Sequence, residues 1–294
     1  MRSEKEMFNL FLDFAKCDER IRIVGMEGSR TNVNIPKDCY QDYDITYFVT
    51  DMDSFIKDEN WIDVFGKRII LQKPDAMTLF SPGKNVYSYL FICDDDVKID
   101  LSIMPLFSVD EYLNGEDKLI RILLDKDGKI PNLPIPTDEA YRIKKPSANY
   151  FDDCCNEFWF VSTYIAKGLL REELLFASWH MEQIARVELL RMLSWKIGLL
   201  HGYGFSLGKH YKFIYKYISE NEWDLLMKTY CLDAMDNCWK ALESAHQLFR
   251  QTSKYLANEL NYIYPDYDLQ VTNYINRYKS HNNNIGNVQK PQKK

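Results

Sequence analysis

The chain has 294 residues, 46% hydrophobic and 27% charged, a balance that excludes wholesale disorder and leads to the expectation of two folded domains. No apolar run reaches the ~20 residues a membrane-spanning helix needs. The opening MRSEKEMFNLFLDFAK interleaves charges with helix-spaced Phe and Leu, unlike a signal peptide, so a cytoplasmic protein is expected. The formal net charge is −6, yet Lys279 to Lys294 carry four lysines and no acids, so the body is more acidic than the whole. Such a body repels nucleic-acid phosphates and favours small cationic ligands, with solubility alone as the other reading.

In chain order, a helix is expected near Lys5 to Ala15. Strand-like runs follow at Ile21 to Met26, Asp44 to Thr50, Arg68 to Leu71, Tyr87 to Cys93 and Val97 to Met104. Prolines at 131, 134, 136 and 146 are too dense for a helix and mark a connector. From about Tyr150 to Tyr264 the pattern is helical. Ile184, Val187, Leu190, Leu193, Ile197 and Leu200 step by three and four as one apolar stripe, read as core. Seven cysteines, none in a CxxC pair, read as reduced thiols, and the adjacent Cys154 and Cys155 are poorly placed to share a metal. The fold class is α+β: a mixed sheet with flanking helices over 1–135, an all-helical bundle over 136–278 and a disordered tail over 279–294.

Three pieces of the first domain belong together: Gly28-Ser29-Arg30 after the strand IRIVGM, the pair Asp42 and Asp44, and Asp100. In DYDITYFV, Tyr43, Ile45, Tyr47 and Val49 alternate as an apolar face, so Asp42 and Asp44 project together from the opposite one. Like charges so close raise each other's pKa and are destabilising unless a cation sits between them. In the later run Val97, Ile99, Leu101 and Ile103 form the apolar face, leaving Lys98, Asp100 and Ser102 on the other, and Asp100 joins the pair if the strands are neighbours. Three carboxylates on one sheet face suit Mg²⁺, which takes oxygen ligands and keeps positions open for waters and phosphates. Exposed acids on an edge strand, with Asp100 paired to an arginine, are the alternative. A strand ending in Gly28-Ser29 before a helix offers backbone N–H groups and a hydroxyl to phosphate oxygens, where an ordinary turn is the plainer reading.

This arrangement resembles the polymerase-β-like nucleotidyltransferase superfamily, with Asp42 fourteen residues after Gly28. The segments EGSRTN, QDYDITYFV and KIDLSIMP are similar to one branch, the aminoglycoside 6-adenylyltransferases that modify streptomycin. The resemblance extends through FWFVSTYIAKGLLREEL, HMEQIARVELLRMLSW and GKHYKFI, although RTNVN stands where the superfamily often has a second glycine. It implies a two-domain enzyme that binds its substrates in the cleft between a nucleotidyltransferase sheet and a helical bundle. Its substrates would be ATP and an aminoglycoside, with Mg²⁺ as cofactor and neither nucleic acid nor membrane as partner; monomer and dimer both remain open. A different acceptor, such as a protein, a tRNA end or another small alcohol, is the competing reading.

On that resemblance Asp42 and Asp44 would hold Mg²⁺ against the triphosphate and Ser29 would hold outer phosphates. Asp100 would act as general base, as a shared metal ligand, or both. Arg30 is read as a phosphate contact or as a structural arginine, and Lys209, with Lys212 as fallback, as a reach from the glycine-broken turn GYGFSLGKHYKF to the triphosphate. Streptomycin's guanidinium groups call for carboxylates and aromatic faces. Asp153 and Glu157, one helical turn apart, with Trp159 beside them, form the first candidate clamp; Trp179 and Glu182 form the second. A helix start enriched in acids over a core of aromatics is the alternative.

Overall fold

The computed structural model describes residues 1–286, and the chain divides into two compact units, Met1–Ala140 and Tyr141–Lys294. Unit 1 contains α1 (Glu4–Cys17), β1 (Ile21–Glu27), β2 (Tyr43–Val49), α2 (Met52–Lys57), β3 (Arg68–Gln72), β4 (Tyr87–Cys93), β5 (Lys98–Pro105), α3 (Val109–Asn114) and β6 (Ile120–Asp125). The six strands form one sheet in the order β3-β4-β5-β2-β1-β6, in which β2 and β5 pair in parallel and the other neighbours are antiparallel.

Helix α1 starts where the sequence provides for it. Ser3 and Glu6 form a reciprocal capping box, which satisfies donors at the helix N-terminus that have no partner within the helix. Its buried side chains Met7, Phe11 and Ala15 recur every four residues and cover the apolar face of the sheet. There the Phe11 and Tyr43 rings lie 5.6 Å apart, and the buried Tyr47 hydroxyl donates to the Phe11 carbonyl at 3.0 Å. Burial of Tyr43, Ile45 and Tyr47 on this side fixes the register of β2 and turns its acidic positions to the other side.

Strand β6 is not among the sequence expectations. Its run Ile120, Ile122, Leu123 and Leu124 fits a helix face as well as a strand, and long-range pairing with β1 decides the outcome.

Unit 2 contains α4 (Ala148–Leu170), α5 (Leu174–His180), α6 (Arg186–His201), α7 (Glu220–Lys228), α8 (Met235–Leu260) and α9 (Tyr267–Gly286), with a π-helical turn at Met181–Ala185 leading into α6. Phe158 of α4 stacks on Phe249 of α8 with ring centroids 3.8 Å apart at the centre of its core. The apolar stripe expected in α6 differs from the buried face. Leu189, Met192, Leu193 and Ile197 are buried, whereas Val187 and Leu200 are exposed. Apolar residues surround α6 on nearly every side, so spacing alone does not select the inward face. The tail expected from 279 also differs: α9 continues to Gly286, and the rest of that tail lies outside the described residues. Among the described residues no helix is long and apolar enough to cross a membrane. The α+β class read from the sequence is borne out.

Candidate active site

The acidic face of the sheet is built around the parallel pair β2–β5, whose register sets Asp44 directly beside Asp100. The hydrogen-bonding pitch of a sheet holds neighbouring strands ~5 Å apart, so two carboxylates on one face repel. Burial and then the charges of Asp100, Glu27 and Asp42 push the Asp44 pKa up to about 7, with Lys98 opposing them. Asp100 Oδ1 is buried without a hydrogen-bond partner among the described residues.

Asp42 lies one residue before β2, and its backbone is fixed by Arg30. The Arg30 guanidinium donates through Nε to the Asp42 carbonyl at 2.9 Å and through Nη2 to the Gln41 carbonyl at 2.7 Å, and it stacks 3.7 Å above the Tyr43 ring. An ion pair to Glu4 at 3.4 Å engages the remaining arm. These contacts let Arg30 position the loop that carries Asp42, and the same side chain also lines the cavity beside it.

Gly28 ends β1 with φ +69°, and a Cβ added there would meet Asp44 Oδ2 at 2.5 Å. Only glycine combines that backbone conformation with so close an approach to the carboxylate. The following turn, Gly28–Thr31, is closed by the Thr31 hydroxyl donating to the Gly28 carbonyl at 2.8 Å. Gly28 and Ser29 therefore stand at the edge of the acidic cluster.

Two residues that sequence reasoning did not assign to the site belong to it. Glu27 shares the acidic face, because its Oε1 accepts from the Thr46 hydroxyl at 2.6 Å, and its charge acts on Asp44. Lys98 bridges the cluster, donating to Asp42 Oδ2 at 2.5 Å and to Asp100 Oδ2 at 2.8 Å. Desolvation alone would lower the Lys98 pKa, but those two bonds outweigh it and raise it. With the ammonium between Asp42 and Asp100, no group of three or more His, Cys, Asp or Glu side chains among the described residues is arranged to hold a metal ion. A cavity of about 690 Å³ opens beside Asp42 and Lys98, with Arg2, Arg30, Lys37 and Tyr40 also in its wall.

The residues expected to bind the acceptor lie in unit 2. Asp153 and Glu157 are exposed on α4, Trp179 is 54% exposed on α5, and Glu182 is exposed in the π-helical turn. Trp159 requires a correction. Its side chain is fully buried between His246 and Phe249, so it has no face to offer a ligand. The outward aromatic beside it is Phe160, whose ring lies 5.4 Å from Tyr164, and Tyr164 leads through His180 to Trp179. Lys209 is exposed at the start of a short turn. Gly208, His210 and Tyr211 all take positive φ there, a costly conformation for the last two.

A Gly-Ser turn beside strand-borne carboxylates is the arrangement that the resemblance to nucleotidyltransferases implies, and comparison with known proteins assigns the chain to that class. The model of the family described as streptomycin adenylyltransferase matches residues 1–278, and the chain belongs to that family. A protein from Campylobacter jejuni named aminoglycoside 6-adenylyltransferase is 54% identical over 279 residues, covering 95% of this chain and 96% of its own. One of the same name from Bacillus subtilis (strain 168) is 51% identical over 275 residues, covering 93% and 97%. A third, from Staphylococcus aureus, is 42% identical over 282 residues, covering 95% and 100%.

Proposed function

We propose that the protein transfers AMP from Mg-ATP to a hydroxyl of a streptomycin-like aminoglycoside, at the 6-position, with release of pyrophosphate, and so confers resistance to the drug. The observation that carries this reading is the in-register pair Asp44 and Asp100 with Gly28 pressed against the Asp44 carboxylate. The aminoglycoside acceptor follows from the names of the relatives, and the acidic body of the chain favours such a polycation.

By its chemistry the donor set suits a hard divalent ion, although among the described residues the carboxylates, with Lys98 between Asp42 and Asp100, are not already arranged around one. The set consists of oxygens alone, the Asp44 pKa is pushed up to about 7 first by burial and then by like charges that a cation would relieve, and Asp100 Oδ1 has no partner among the described residues. Asp42, Asp44 and Asp100 would hold the ion. When bound, Mg²⁺ neutralises the triphosphate and stabilises the departing pyrophosphate. Ser29 and the N–H groups of its turn hold outer phosphates, and Lys209 adds a charge to them. Asp100 takes the proton of the acceptor hydroxyl as that hydroxyl's oxygen bonds to the α-phosphorus, and the bond from that phosphorus to the bridging oxygen of the departing pyrophosphate breaks. Asp153 and Glu157, with Trp179 and Glu182, orient the cationic acceptor.

A panel of aminoglycosides, each incubated with Mg-ATP and the purified protein, tests the acceptor. Pyrophosphate release with streptomycin, and a product heavier by one adenylyl group, is the expected result. Release that depends on some other alcohol while streptomycin stays unmodified would refute the acceptor assignment.

A further inference from the structure

Lys98 has a place in the site that nucleotide chemistry alone does not explain. Its ammonium joins Asp42, from the loop before β2, to Asp100 on β5, so it lies among the carboxylates expected to receive the ion. Its side chain is 38% exposed, against 36% for Asp42 and 26% for Asp100, which leaves it a solvent path along which to swing aside. The cavity beside Asp42 is walled in part by Lys98 and provides room for that movement. A lysine is suited to such a part, being a compact point charge on a flexible four-carbon stem that can release a carboxylate without breaking a bidentate fork.

We propose that Lys98 is a built-in counter-ion that holds Asp42 and Asp100 together and gives up its position to the divalent cation, so that cation binding here is an exchange of charge. This rests on the assignment of Asp42 and Asp100 as metal ligands. The exchange keeps a positive charge between Asp42 and Asp100 throughout and makes the cation compete with an internal charge. Lys98 is thus a positioning residue for the metal ligands.

The test is binding of Mn²⁺ alone, without nucleotide, followed by the resonance of the free ion and by thermal melting. Lys98→Met is expected to bind Mn²⁺ about tenfold more tightly than the wild type, the scale on which one adjacent charge shifts a carboxylate equilibrium. Its metal-free melting temperature should be lower, and Mn²⁺ should raise that temperature by more than it raises the wild type's. If Lys98→Met folds poorly, Lys98→Arg keeps the charge in a stiffer fork and should bind Mn²⁺ more weakly than the wild type. Unchanged or weaker Mn²⁺ binding in Lys98→Met, with binding abolished in Asp42→Asn, overturns the exchange and leaves the metal ligands standing. Mn²⁺ binding that neither Lys98→Met nor Asp42→Asn alters overturns the ligand assignment, and the exchange with it.

Discussion

Substituting Gly28 by alanine separates two effects that ordinarily come together. An L-residue at φ +69° costs ~1–2 kcal/mol in the left-handed region. At Gly28 the new methyl would also meet Asp44 Oδ2 at 2.5 Å, inside any real carbon–oxygen contact, so the carboxylate has to move. Gly128 supplies the control: its φ is +62°, and a Cβ there meets nothing within 4 Å among the described residues. Both Gly28→Ala and Gly128→Ala are expected to lose ~1–2 kcal/mol of stability in urea titration, since the backbone strain is common to them. Only Gly28→Ala should lose catalysis. A shift of the Asp44 carboxylate that removes ~1.4–3 kcal/mol of transition-state stabilisation lowers kcat/KM ~10- to 100-fold. Pyrophosphate release at saturating streptomycin, with ATP varied, measures the difference. Equal kcat/KM in the two variants would refute the argument that Gly28 is kept for its closeness to Asp44.

The raised pKa of Asp44 predicts a pH dependence. A folded-state value of about 7 against an ordinary 3.8 gives stability that is fully present below pH ~4 and lost as pH rises through 7, so in Mg²⁺-free buffer the wild type should weaken across that interval and Asp44→Asn should not. Parallel melting curves for the two proteins from pH 4 to pH 8 would contradict this. Neutralising Asp153 or Glu157 should raise the streptomycin KM ~2- to 10-fold and leave the ATP KM near wild type, and wild-type streptomycin kinetics in both variants would remove the α4 clamp. Lys209→Ala should raise the ATP KM with little effect on the streptomycin KM, and an unchanged ATP KM would remove it from the phosphate site.

The sheet was legible where the two-residue period was clean. In DYDITYFV the alternation of Tyr43, Ile45, Tyr47 and Val49 identifies the acidic face before any pairing is known. Glu27 was hidden because Val24, Gly25 and Met26 are buried in succession in β1, which blurs the alternation, and only the pairing of β1 with β2 brings Glu27 near Asp44. Lys98 was assigned to the correct face, but its bridge depends on the loop before β2, whose path is set by Arg30 and not by local propensity. On α4 the consecutive aromatics Phe158, Trp159 and Phe160 point to successive sides of a helix. Packing against α8 takes the first two inside and leaves Phe160 at the surface. That rotation, and not composition, is what removed Trp159 from the acceptor side.

The central claim is that Asp42, Asp44 and Asp100 carry adenylyl transfer, and transfer of label from ATP bearing a radioactive α-phosphate to streptomycin tests it most directly. The wild type should label the drug in the presence of Mg²⁺. Asp42→Asn, Asp44→Asn and Asp100→Asn should remain folded and label almost none, with nucleotide binding impaired least in Asp100→Asn if it serves mainly as the base. Labelling by Asp42→Asn, Asp44→Asn or Asp100→Asn at the wild-type rate would contradict the account.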